Sequence, residues 1–273
     1  MWLLWAAKLT KWVSIVAIEI NVDLLEILKR RQDLDGPITW GISRWRDSKY
    51  KPKGYLSRIA ESSGLSEIGL ARFSPSFQCL ENETGIASKK IYRSEVLKLG
   101  EKYRAGNVSA TDLFIASMVW GNGGTGYGPY RTSVALNIPR KGVVPVSVIE
   151  NVGRLASTGD IEGAYKTMTD ALWRIGPAFG TKFLYFASPP EAKAPIFDGV
   201  VAGWKTDGLP WVSRPSTAWT WNWSTYDLYR TWCNQQFEML REQGHLNGIS
   251  TFHSDGSLYV DVIESSIFAA LNQ

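Results

Sequence analysis

A chain of 273 residues, 44% apolar and 21% charged, has the length and the balance to bury a full core, which excludes a disordered polymer. Its formal charge of +4 is mildly basic, so it permits a nucleic-acid partner without demanding one. Two cysteines, Cys79 and Cys233, and two histidines, His245 and His253, are too few and too scattered for a zinc or iron–sulfur site, so no metal is expected and a reducing cytoplasm fits.

The opening stretch MWLLWAAKLTKWVSIVAIEI is apolar, but Lys8 and Lys11 interrupt it before a span of about 18 apolar residues forms. It reads as a helix or an upstream extension, not as a membrane segment. Residues 13–31 have apolar positions at helical spacing and end on Lys29, Arg30 and Arg31, cations suited to a helix C-terminus. Residues 32–54 form a Pro/Gly-punctuated loop whose Arg44, Arg46, Lys49, Lys51 and Lys53 either face solvent or follow a phosphate backbone. Short helices are expected at 55–63 and 92–104. The stretch SATDLFIASMVW predicts a helix over 109–120, capped by Ser109 with Asp112 three positions on. The glycine-rich GNGGTGYGPYRT follows. It lacks the closing Lys-Ser/Thr of a P-loop, but its backbone can approach another group closely.

Further helices are expected at 145–157, 160–174, 181–187, 198–205, 225–243 and 258–271, giving an all-α chain. Five tryptophans crowd residues 204–223 (Trp204, Trp211, Trp219, Trp221 and Trp223), either to glue an irregular loop to its scaffold or to offer flat faces to bases and sugars. Within 174–204, PAFGTK reads as a tight turn opening a helix, whose free N–H groups make a phosphate seat. Thr181 and Lys182 would then stand in the first turn, where the helix dipole disfavours a lysine, which marks Lys182 as a working amine. Asp198 precedes GVVAGW and reads as a helix N-cap or as the acid of an active site.

The stretch resembles the signature of the helix–hairpin–helix DNA glycosylase superfamily, in its bacterial 8-oxoguanine-glycosylase-like branch. Pro177, Phe179, Gly180, Thr181 and Lys182 match the hairpin and lysine, and APIFDGVVAGW is similar to the segment bearing the family's aspartate. Ala178 stands where the first hairpin glycine is expected, and the 16-position interval from Lys182 to Asp198 is shorter than the family's. FIASMVWGNGGTGYGPYRT is similar to the helix end from which such enzymes insert a polar wedge, here Asn122.

The resemblance implies two helical lobes around a DNA cleft: 1–104 beginning the first lobe, 105–190 the helix–hairpin–helix lobe, and 191–273 returning to the first. It implies Lys182 and Asp198 as catalytic residues, and Pro177, Phe179, Gly180, Thr181, Asn122 and Arg131 at the DNA. Trp120 and Trp204 would line the base pocket, and the cofactor would be none, or a monovalent cation at the hairpin. The expected function is a monomeric, cytoplasmic enzyme of bacterial type that removes a modified base from duplex DNA. That base is either a hypermodified phage base (glucosylated hydroxymethylcytosine) or 8-oxoguanine. The competing expectation is a non-catalytic DNA-binding protein that keeps only the hairpin.

Overall fold

The computed structural model describes residues 19–30, 36–85, 90–123, 127–204 and 221–271, and every structural statement below concerns these. The chain is all-α. Its helices are α1 (Val22–Arg30), α2 (Ile42–Arg46), α3 (Tyr55–Ser62), α4 (Ser74–Thr84), α5 (Arg93–Arg104), α6 (Ala110–Asn122), α7 (Tyr127–Asn137), α8 (Pro145–Ser157), α9 (Ile161–Ala171), α10 (Pro177–Ala187), α11 (Gly199–Ala202), α12 (Trp223–Glu242) and α13 (Asp261–Leu271). Two minimal antiparallel ladders pair β1 (Ile38–Thr39) with β4 (Lys90–Ile91) and β2 (Lys49–Tyr50) with β3 (Ile68–Gly69). No helix among the described residues is long and apolar enough to cross a membrane.

Helix α6 is the axis of the core. Ser109 accepts from the Asp112 amide while Asp112 accepts from the Ser109 amide, so both caps of a capping box are closed. Beyond the cap, every residue from Leu113 to Val119 is buried, because α4, α5, α7, α8 and α10 surround the helix. Helix α10 crosses α5 at backbone distance: a Cβ on Gly100 would lie 2.2 Å from the Phe186 carbonyl oxygen.

Helix α13 is tied in by buried polar groups. Glu264 accepts from Arg93 at 2.8 and 3.3 Å. Asp261 accepts from the Tyr185 hydroxyl at 2.6 Å and meets His253 Nε2 at 2.8 Å. Burial alone would raise the Asp261 carboxyl, but His253, the Tyr185 hydroxyl and the charge of Lys193 outweigh it and hold it at about 2, against 3.8 for a free aspartate. A depressed carboxyl stabilises the fold above its unfolded value, and that contribution is lost as pH falls through the folded value. Urea unfolding between about pH 4 and 2 should therefore show stability falling more steeply in wild type than in Asp261→Asn. Parallel curves would remove Asp261 from the account of acid stability.

The elements that departed from expectation have physical reasons. The basic loop of 32–54 contains α2 and two strand ends because Trp40 and Trp45 are core residues, 3% and 0% exposed, and Trp45 Nε1 donates to the Gly123 carbonyl at 3.3 Å. Helix α7 begins inside the glycine run: Pro129 is tolerated in a first turn, and Gly128 packs where a Cβ would meet Asn122 and Trp45. Trp204, Trp221 and Trp223 pack onto Trp232, Phe197 and Tyr226 respectively, the gluing role. Trp211, Trp219 and most of that loop lie outside the described residues.

Candidate active site

Residues 172–176 turn the chain from α9 into α10. Arg174 takes φ +62°, the left-handed region that side-chain-bearing residues rarely adopt, and Gly176 then N-caps α10 with Pro177 as its first residue. The helix thus starts four residues before the expected 181, and Lys182 stands in its second turn, beyond the reach of the helix-end field. The Gly180 amide is spent inside the helix, donating to Gly176 O at 2.9 Å. A Cβ there would lie 1.9 Å from Met168 Cε, so this glycine lets α10 close on α9.

Lys182 is 7% exposed. Its Nζ donates to Asp198 Oδ2 at 2.7 Å and to Ala178 O at 3.3 Å. The stem passes over α6 at Gly121, where a Cβ would lie 2.5 Å from Lys182 Cδ. This is the close approach that the glycine run permits: a side chain at 121 would push the amine off the carboxylate.

Asp198 N-caps α11, its Oδ1 accepting from the Val200 and Val201 amides at 3.0 and 3.2 Å. One oxygen therefore caps the helix and the other faces the amine. Burial alone would raise this carboxyl, but the Lys182 charge and hydrogen bond, with the two amides, hold it below the usual aspartate value.

The segment bringing Asp198 to Lys182 is held from three sides. The Ala194 amide donates to Ser188 Oγ at 3.1 Å, and the Tyr226 and Tyr229 hydroxyls donate to the Pro195 and Ile196 carbonyls at 3.0 and 2.9 Å. Thr181 Oγ1 accepts from the Phe197 amide at 3.0 Å and donates to the Phe197 carbonyl at 3.4 Å. Phe197 then stacks on Tyr229, centroids 4.6 Å apart. Thr181, expected at the DNA, is fully buried and fixes the distance between the two candidate groups instead. Thr181→Val keeps the shape but orphans the Phe197 amide, at a cost of about 1–3 kcal/mol. Any activity resting on the Lys182–Asp198 pair should fall, measured as turnover, while the melting temperature drops by no more than about 10 °C. Unchanged turnover would show that the clamp does not set the pair.

Sequence reasoning missed Tyr226 and Tyr229, which lie within the helix expected at 225–243. The available signal is chemical: a buried tyrosine needs a partner for its hydroxyl.

The other candidates are distributed around the pair. Arg131 lays its guanidinium over the Phe179 ring at 3.9 Å and over Tyr127 at 4.8 Å, so two expected DNA-contacting residues touch each other. Asn122, half-buried at the end of α6 beside Gly121, donates to Met118 O at 2.8 Å. Pro177 is buried at the start of α10. Trp120 packs edge-on to Phe186 at 5.2 Å, with Arg93 over its ring at 5.0 Å. Trp204 is 6% exposed and lies edge-on to Trp232.

Three backbone oxygens around the turn are already engaged. Gly176 O accepts from the Phe179 and Gly180 amides, and Thr169 O and Leu172 O both accept from Arg140. Among the described residues no group of three or more His, Cys, Asp or Glu is placed to hold a metal.

A family model described as "Putative 8-oxoguanine DNA glycosylase OGG-like protein" matches residues 39–268. No curated protein and no solved structure matches the chain.

Proposed function

Since the chain belongs to the 8-oxoguanine DNA glycosylase OGG-like family, whose model spans nearly all of it, we propose that it cleaves the N-glycosidic bond of a modified base flipped out of duplex DNA, with Lys182 and Asp198 as its working groups. The observation that carries this reading is the buried 2.7 Å contact between Lys182 Nζ and Asp198 Oδ2. A protein that only seats phosphate gains nothing from a buried carboxylate beside a polyanion, which sets this reading above a non-catalytic binder.

The chemistry follows from the pair. A base must leave the stack before its sugar bond can be reached, at a cost of a few kcal/mol. Asp198 takes the proton from Lys182, and the freed amine attacks C1′ of the sugar. The C1′–N bond to the base breaks as the C1′–Nζ bond forms. Its electron pair leaves with the base, which takes the proton back from Asp198. Returning that proton makes Asp198 a carboxylate again, and its charge stabilises the cationic amino-sugar left at C1′. Opening of the sugar ring then gives a Schiff base on Lys182, from which strand cleavage can follow, and water returns the enzyme.

For the base, 8-oxoguanine is the first candidate through the family's name, and glucosylated hydroxymethylcytosine the second. Duplex oligonucleotides each carrying one modified base, treated with the protein and then alkali, test both. Breakage at one modified position and at no ordinary base supports the reading. No breakage on any duplex, with DNA still bound, favours the non-catalytic binder.

A further inference from the structure

Behind the turn that leads into α10 lies a cavity of about 460 Å³, within the range of small-molecule sites. Its wall brings together Lys53, Arg140, Arg174, Tyr55, Trp173 and Trp221, and no carboxylate of the described residues lines it. The cations divide by role. Arg140 is committed to the structure, donating to Thr169 O and Leu172 O and lying over Trp173 at 4.8 Å. Lys53 and Arg174 reach the cavity from two separate loops and have no carboxylate partner among the described residues. Arg174 does so from the left-handed backbone of the turn, φ +62°.

The rings are arranged as a corner. Tyr55, 60% exposed, meets Trp173 edge-on at 5.9 Å, and Trp173 is fixed by donating Nε1 to Pro139 O at 3.0 Å. Trp221, on the far wall, packs against Phe197 at 4.4 Å, one residue before Asp198.

Two uncompensated cations call for an anion, and a large exposed aromatic face calls for a flat partner. A sugar would leave the charges unpaired, and inorganic phosphate would leave the rings and most of the volume unused. A phosphate of intact duplex needs no cavity, and its stacked base cannot enter one. We propose that the cavity binds a single unstacked nucleoside monophosphate unit, its phosphate on Lys53 and Arg174 and its base against Tyr55 and Trp173. The unit comes either as free nucleotide or as an unpaired nucleotide of a DNA strand. The proposal concerns a site apart from Lys182 and Asp198 and does not require base excision to be correct.

Calorimetric titration of the full chain with dAMP, deoxyadenosine and inorganic phosphate tests it. The dAMP should bind at least about tenfold more tightly than either half. Arg174→Gly removes the guanidinium while relaxing the left-handed backbone, so it should fold as well as wild type. It should reduce dAMP binding to the level of deoxyadenosine, and Lys53→Ala on the other wall should weaken it in the same direction. A blunt duplex compared with one bearing a single unpaired terminal nucleotide separates the sources. Tighter binding of the tailed duplex, lost in Arg174→Gly, assigns the unit to DNA; equal binding of both duplexes assigns it to free nucleotide. Binding of dAMP no tighter than phosphate, or unchanged in Arg174→Gly, overturns the proposal.

Discussion

Asp198→Asn is expected to reduce base release by at least about a hundredfold while leaving DNA affinity unchanged or slightly improved. The substitution is close to silent for the fold. Asparagine caps a helix as well as aspartate does, so the Val200 and Val201 amides keep their acceptor and α11 stays in place. What it removes is the charge facing Lys182 Nζ, and with it both the acceptor of the amine's proton and the stabiliser of the sugar cation. Affinity does not suffer, because one negative charge near the phosphates is gone. Single-turnover release and equilibrium binding on the same modified duplex check the two halves separately. Release at the wild-type rate would reduce Asp198 to a cap.

Lys182→Gln is expected to eliminate the covalent intermediate altogether. Borohydride reduces a Schiff base to a stable amine, so wild type should give a protein–DNA adduct and the variant none. Glutamine still reaches Asp198 with an N–H donor, but leaves a carboxylate 13% exposed without its cation, and some loss of stability accompanies the change. A thermal melt at the assay temperature keeps loss of fold apart from loss of chemistry. An adduct that persists in the variant would assign the reaction to another amine.

Much of the pair was legible in the sequence because it sits in short-range patterns. A proline and glycines next to Lys182, and an acid just before a helix, are local signals that need no knowledge of the fold. The start of α10 was misplaced because Pro177 reads equally as part of a turn and as a first helical residue, and only the Gly176 cap decides between them. The buried partner of Thr181 was not legible for another reason. That partner is the backbone of Phe197, which reaches it only after the segment 188–198 folds back, and a hydroxyl's direction cannot be read from spacing. Gly121 shows the mixed case: the glycine run announced a close approach, but Lys182 as the approaching group emerged only from the packing of α6 against α10. Trp40 and Trp45 hid α2 because the surrounding cations dominated the composition of that stretch.

The measurement closest to the central claim is peptide mapping of the borohydride-reduced adduct formed on a modified duplex. A second amine makes the outcome informative. Lys193 is 3% exposed, and burial, only partly offset by the charge of Asp261, pushes it down to about 8, but its Nζ is tied to Ser188 O at 3.2 Å, with no carboxylate of the described residues in ion-pair contact. Lys205 lies outside the described residues. The account predicts that the added sugar mass falls on Lys182 alone, and that Asp198→Asn lowers the yield of the same product without moving it. Modification of Lys193 or Lys205, or base release with no adduct at all, would contradict it.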